Sequence, residues 1–223
     1  MKDKTKIHES IYVASREKDL DIHLLANISK KIGMVNSAKF ILTGSYAIEA
    51  LTGKKTYHED IDANILTGDI KDSLPKVANK MSQIYGLSIY KQTESRLEYD
   101  VLPNTDRVGI KKLEFQFHKI DQKNNIPTVF APLTDSKGKD FLFRVKSLPY
   151  VIATWSIRIS GLATNPLREL KASDLEQFKL LLSCNHNVDD VLRLITEHPQ
   201  TPNGVNAVHI FEQSINKLQV MKS

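Results

Sequence analysis

The chain has 223 residues, with 31 Lys and Arg against 26 Asp and Glu, a net charge of +5 at neutral pH and an apolar fraction of 41%. That length holds one sizeable core or two small ones, and the composition lies well outside the disordered range. No stretch approaches the ~18 consecutive apolar residues of a membrane span, the basic start Met1-Lys-Asp-Lys-Thr-Lys lacks the apolar run of a signal peptide, and the lone Cys184 excludes an intrachain disulfide and a cysteine-rich zinc site, so a cytoplasmic protein with no membrane partner is expected.

In chain order, Ile22, Leu25, Ile28 and Ile32 recur at helical spacing and predict an amphipathic helix over 19–33, with Gly33 to end it. Ala38-Lys-Phe-Ile-Leu-Thr43 reads as a short apolar strand. Gly44-Ser45 turns the chain, and Tyr46 to Thr52 reads as a short helix with Ala47, Ile48, Ala50 and Leu51 buried and Gly53 as its stop. Asp60-Ile-Asp-Ala-Asn-Ile65 alternates polar and apolar, as a half-buried strand does. A helix follows over 70–85. Two strands near 95–102 and 110–120 are joined by the turn Pro103-Asn104-Thr105-Asp106. Residues 121–140 read as loop, and Phe141-Leu-Phe-Arg-Val145 as a last strand. From Ser147 on, the signals are helical, over 148–160, 172–183, 187–197 and 204–220. Strands crowd the first two thirds and helices fill the last third. The expected fold is therefore α/β, a mixed sheet flanked by helices over 1–145 followed by a helical domain over 146–223. There is no internal repeat and no basic block, and the excess positive charge reads as an ordinary solvated surface rather than a dedicated nucleic-acid groove.

The segment that carries chemistry is Gly44-Ser-Tyr-Ala-Ile-Glu-Ala-Leu-Thr-Gly-Lys-Lys-Thr-Tyr-His-Glu-Asp60-Ile-Asp62. In a strand, residues i and i+2 face the same way, so Asp60 and Asp62 project side by side while Ile61 turns into the core. Two adjacent carboxylates repel one another unless a cation sits between them, and magnesium is the natural one, being hard and content with oxygen ligands, water and phosphate. Gly44 lets backbone approach a phosphate, and the following helix presents free N–H groups at its start. Ser45 either caps that helix or donates its hydroxyl to a phosphate. Asp-x-Asp alone is commonly a solvated strand face, and Gly-Ser alone a turn; it is their order and spacing that point to a shared metal and phosphate site.

This segment resembles the active-site signature of the nucleotidyltransferase superfamily: Gly-Gly or Gly-Ser, a helix, then Asp-x-Asp. It is most similar to the aminoglycoside 2''-nucleotidyltransferases, through Gly44, Ala47, Ile48, Gly53, Thr56, His58, Asp60, Ile61 and Asp62. The resemblance implies Mg2+ or Mn2+, an NTP donor, and transfer of a nucleoside monophosphate to an acceptor hydroxyl with release of pyrophosphate. It also implies a third carboxylate on a later strand. In Lys112-Leu-Glu-Phe-Gln-Phe-His118, Glu114 shares a face with Gln116 and His118 and is assigned that place, as a metal ligand or as general base, with Asp100 on the preceding strand as its rival. Lys54, Lys55 and His58 precede the metal strand and either touch triphosphate or, for the lysines, belong to a solvated loop; His58 has the further option of orienting Asp60. Lys146 follows the last strand and is placed to reach phosphate. Lys171-Ala-Ser-Asp174-Leu resembles a Lys-x-x-Asp-Leu element of superfamily members with a helical second domain, although Asp174 also suits a helix start. Trp155 reads as core rather than as a base-stacking platform. The implied acceptor is a small molecule or tRNA. A polycationic drug calls for an acidic cleft, for which Glu94, Glu98 and Asp100 lie near, whereas the helical last third resembles nucleotidyltransferase toxins of toxin–antitoxin and abortive-infection systems, which implies an antitoxin protein as partner. A catalytically inactive member that binds nucleotide or protein is the alternative of another class.

Overall fold

The protein is described from a computed structural model, over residues 21–35, 38–56, 60–85, 87–100, 112–120, 126–163 and 170–220. It divides into two compact units, one of Met1–Asn125 and Val129–Val145, the other of Ile126–Thr128 and Lys146–Ser223.

The first unit is built on a seven-stranded mixed sheet. Helix α1 runs over 21–32. It is followed by β1 (Lys39–Thr43), α2 (Gly44–Thr52), β2 (Asp60–Thr67), α3 (Ile70–Tyr85), β3 (Ser88–Gln92), β4 (Arg96–Asp100), β5 (Lys112–Lys119), β6 (Thr128–Thr134) and β7 (Asp140–Lys146). The strand order is β3-β4-β5-β2-β1-β7-β6. β2 lies between an antiparallel β1 and a parallel β5, and β1 runs parallel to β7. One face of the sheet is apolar. Ile61, Ala63, Ile65, Leu97, Tyr99, Leu113, Phe115 and Phe117 join one core with Ile22, Leu25, Ile28 and Ile32 of α1 and Leu74, Val77 and Met81 of α3. Each large side chain buried there is worth about 1.5–3 kcal/mol over exposure. A one-residue slip of β2 would turn its apolar set outward and its carboxylates inward, so the register is held by several kcal/mol.

The second unit continues with α4 (Leu148–Ser160), α5 (Ala172–Leu182), α6 (Val188–Glu197) and α7 (Ala207–Val220), with α4 packed against the other three. Ile152, Ala153, Ile157, Phe178, Leu181, Ile195 and Ile210 fill its interior. Among the described residues no helix is long and apolar enough to cross a membrane.

The structure corrects the sequence reading at three places. β6 occupies part of the expected loop 121–140, and β3 was not expected at all. Both are edge strands, each with only one neighbour, and apolar side chains stand on their exposed positions: Ile89, Tyr90, Val129 and Phe130. An edge position also tolerates Pro132, which has no N–H to give to a second neighbour. The last helix begins at Ala207 rather than residue 204. The turn Pro103-Asp106 and the start of the first helix lie outside the described residues.

Candidate active site

The second face of the sheet carries the polar residues. The pairing of β2 with β5 sets Asp62 beside Glu114 and Asn64 beside Gln116, and the pairing of β5 with β4 sets Glu114 beside Glu98 and Gln116 beside Arg96. Paired residues of neighbouring strands lie on the same side, about 4.8 Å apart across the sheet. Glu98, Glu114 and Asp62 therefore form a row over three strands, and Asp60 stands two residues from Asp62 on the same side. Asp60, Asp62 and Glu114 are half-buried, whereas Glu98 is buried.

Gly44 touches this row. β1 pairs Thr43 with Asp62, so the chain leaves the strand directly beside that carboxylate. Gly44 has φ +65°, and a Cβ added there would stand 2.5 Å from Asp62 Oδ2 and 3.2 Å from its Cβ. Only glycine meets both demands: left-handed backbone and contact with the Asp62 side chain. The N-cap of α2 is Thr43, whose side chain makes no capping bond, and the first turn carries no acidic residue. Ser45 is thus inside the helix rather than its cap, which removes one of its two expected roles. Past the helix, Gly53 closes α2 at φ +67° with its N–H donating to the Glu49 carbonyl. The Thr56 hydroxyl then donates to the Ser45 carbonyl at 3.1 Å, and the Thr56 N–H donates to Glu49 Oε2 at 3.3 Å. These bonds fold the loop back on the first turn of α2. Lys54 and Lys55 are exposed on that loop, and His58 lies outside the described residues.

Arg96 was not foreseen. Its Nη2 donates to Glu114 Oε2 at 2.5 Å, and its Nε lies 2.9 Å from Glu98 Oε1, so one guanidinium joins two of the three carboxylates in the row. The sequence held a signal for it, since Arg96-Leu-Glu-Tyr-Asp100 alternates as the Asp60 strand does. Asp100, the rival to Glu114, is on β4 opposite Lys112. Among the described residues, no three His, Cys, Asp or Glu side chains converge as a closed metal cage would need. The arrangement is an aspartate pair, with Glu114 beside it and tied to Arg96.

Four further residues from the sequence reading belong to the second unit: Lys146, Trp155, Lys171 and Asp174. Lys146 has its ammonium 5.6 Å from the centre of the Tyr150 ring, and burial pulls its pKa below the ordinary lysine value. His198 lies against the same ring, 5.9 Å between centroids, and its pKa is lowered by burial first and by the Lys146 charge second. Lys171 is exposed and stands at the N-cap of α5. Its N–H donates to Asp174 Oδ2 at 3.0 Å, and the same oxygen accepts from Arg158 Nη2 at 3.0 Å. Asp174 is nearly fully buried, so this element caps a helix and closes an ion pair. Trp155 is half-buried, with the Arg158 guanidinium 5.2 Å from its ring centre.

No protein-family model matches the chain, and no curated protein matches it. Solved structures do. The antibiotic-resistance factor ANT(2'')-Ia superposes over 80% of this chain and 90% of its own, at TM-score 0.50 and 14% identity. MenT4, a nucleotidyltransferase toxin from Mycobacterium tuberculosis H37Rv, superposes over 82% of this chain and 63% of its own, at TM-score 0.56 and 15% identity. The fold is that of the nucleotidyltransferases. At these identities the likeness is one of fold, and both an antibiotic-resistance factor and a toxin share it.

Proposed function

We propose that this nucleotidyltransferase fold is an active enzyme, moving a nucleoside monophosphate from an NTP to an acceptor hydroxyl with release of pyrophosphate. The observation that supports this most directly is the row Asp62–Glu114 on the sheet face that Gly44 abuts. The donor set suits a hard cation, because Mg2+ takes one or two carboxylates and completes its shell with water and phosphate, so the pair Asp60 and Asp62 is enough without a closed cage. Mg2+ or Mn2+ bound there would neutralise charge on the triphosphate and on the departing pyrophosphate.

The chain's own residues do the rest. The first-turn N–H groups of α2, with no acidic side chain among them, receive triphosphate oxygens, and Gly44 keeps the approach open. Lys55, exposed on the loop after α2, is assigned to the same anionic substrate. Glu114 takes the proton from the acceptor hydroxyl at Oε1 while Arg96 holds Oε2. The freed oxygen forms the new bond to the α-phosphorus, and the bond from that phosphorus to the bridging oxygen breaks, its electron pair leaving with pyrophosphate. The acceptor is a small molecule or tRNA; a toxin role would bring an antitoxin partner.

The test is labelled NTP with Mg2+ and either tRNA or an aminoglycoside panel, asking which species gains label. NTP affinity by calorimetry should rise with Mg2+, and Asp60→Asn and Asp62→Asn should each remove that rise and abolish transfer. Equal NTP affinity with and without metal would overturn the reading.

A further inference from the structure

Hairpin β6–β7 places an exposed apolar and cationic group on the face of the sheet that carries the carboxylates. Asp135 N–H donates to the Lys139 carbonyl, and the Thr134 hydroxyl donates to Asp140. This register sets Pro132 opposite Leu142 and Phe130 opposite Arg144. β7 pairs Val145 with Leu42, which like Val145 belongs to the core, so Arg144 faces the other way, as Thr43 and Asp62 do. Leu142 is 68% exposed and Phe130 62%, and the Arg144 guanidinium stands 4.6 Å from the Phe130 ring centre. Phe130 lies three strands from Asp62, roughly 15 Å across the sheet.

We propose that Phe130, Leu142 and Arg144 form a stacking platform for an unpaired nucleobase of a single-stranded nucleic-acid acceptor, whose reacting end lies at Asp62 and Glu114. This rests on the reading of the carboxylate face as a nucleotidyl-transfer site. An exposed ring with a guanidinium over one face offers a base the guanidinium plane or the ring's other face to stack on and offers a phosphate a cation, and every base has a π-face to place there. A polycationic acceptor would instead meet Arg144 as a like charge. The separation from Asp62 is what a few nucleotides of single strand span, so the base engaged lies behind the reacting end, not at it.

The test uses the full chain and a fluorescently labelled ten-nucleotide single-stranded RNA, with a duplex of the same length as comparison. Wild type should bind the single strand more tightly than the duplex. Phe130→Ala and Arg144→Gln should each weaken single-strand binding about 5- to 100-fold, the equivalent of ~1–3 kcal/mol per stacked base. Phe130→Trp should restore it. Mg2+-dependent NTP affinity, measured on the same variants, should stay at the wild-type value. Loss of that NTP binding in wild type would be a failure of the transfer reading; its retention with no single-strand preference, or with Phe130→Ala binding as wild type, overturns the platform alone. A homodimer in solution that Phe130→Ala dissociates would assign the patch to a second copy and would likewise overturn it.

Discussion

Gly44→Ala tests the link between the turn and the carboxylate row, with Gly53→Ala as its control. Both positions are left-handed, at φ +65° and +67°, so both alanines carry a strain of ~1–2 kcal/mol, and both gain the same small unfolded-state benefit. They differ in space. Nothing lies within 4 Å of a Cβ at position 53, whereas at position 44 it would meet Asp62 Oδ2 at 2.5 Å. Ordinary contact needs about 3.5 Å, so something must move by roughly 1 Å. The Asp62 backbone is clamped between β1 and β5, which leaves its side chain to rotate off its preferred rotamer at a further ~0.5–1.5 kcal/mol. Gly44→Ala should therefore lose about 2–3 kcal/mol, and Gly53→Ala about 1 kcal/mol less than that. In thermal melting the first corresponds to a fall of roughly 5–10 °C. Function should separate the two far more than stability: a carboxylate displaced by ~1 Å should cost on the order of 10²-fold in transfer and weaken Mg2+-dependent NTP binding, while Gly53→Ala stays within a few-fold of wild type. If the two variants match in both melting and metal-dependent nucleotide binding, the close approach of Gly44 to Asp62 has no functional meaning.

Glu114→Gln should leave most NTP binding intact while transfer falls by roughly 10²–10⁴-fold; transfer at the wild-type rate, with Asp100→Asn inactive, would move the third carboxylate to β4. A double-mutant cycle on Arg96 and Glu98 should give a coupling of only ~0.5–1 kcal/mol, since Arg96 is partly exposed; a coupling near zero would mean the guanidinium serves Glu114 alone. Asp174→Ala should destabilise the helical unit by about 3–5 kcal/mol by stranding Arg158 and opening the start of α5, while Lys171→Met changes melting little; the reverse order would return this element to substrate binding. Acidification supplies a fourth test. His198 has a folded pKa below its unfolded value near 6.5, so the unfolded chain binds the extra proton and stability falls as pH drops from about 6.5 toward the folded pKa. His198→Gln should flatten that limb of the melting curve, and an unchanged limb would assign it to other groups.

What was legible in the sequence follows from periodicity and local chemistry. Ile22, Leu25, Ile28 and Ile32 repeat at helical spacing and are all fully buried, and Asp60-Ile-Asp alternates as β2 requires. The Lys112–Lys119 strand was legible for the same reason, and its alternation set Glu114 on the polar side before any partner strand was known. What could not be read was who lies next to whom. That Asp62 neighbours Glu114 depends on β5 pairing with β2, and that Arg96 ties up Glu114 depends on β4 pairing with β5. Both are contacts between distant segments, and neither leaves a periodic trace. β6 escaped because its outward positions Phe130 and Pro132 are not polar, so the sequence does not alternate although the burial does, and β3 escaped because its described side chains are all exposed. The capping option for Ser45 failed because α2 already begins at Gly44, so the cap falls to Thr43, two residues earlier.

The pairing of β1 with β7 bears on how this protein is made. Leu42 finds its neighbour Val145 only after roughly a hundred further residues have been synthesised. Until then β1 has β2 on one side and an open edge on the other, with Phe40, Ile41 and Leu42 along it. A nascent chain in that condition presents an apolar strand able to pair with another copy. Ribosome pausing or a stop codon before β7 should therefore yield aggregates rather than a smaller working sheet, and a chaperone that shields this edge during elongation should raise the yield of intact protein more than one acting after release.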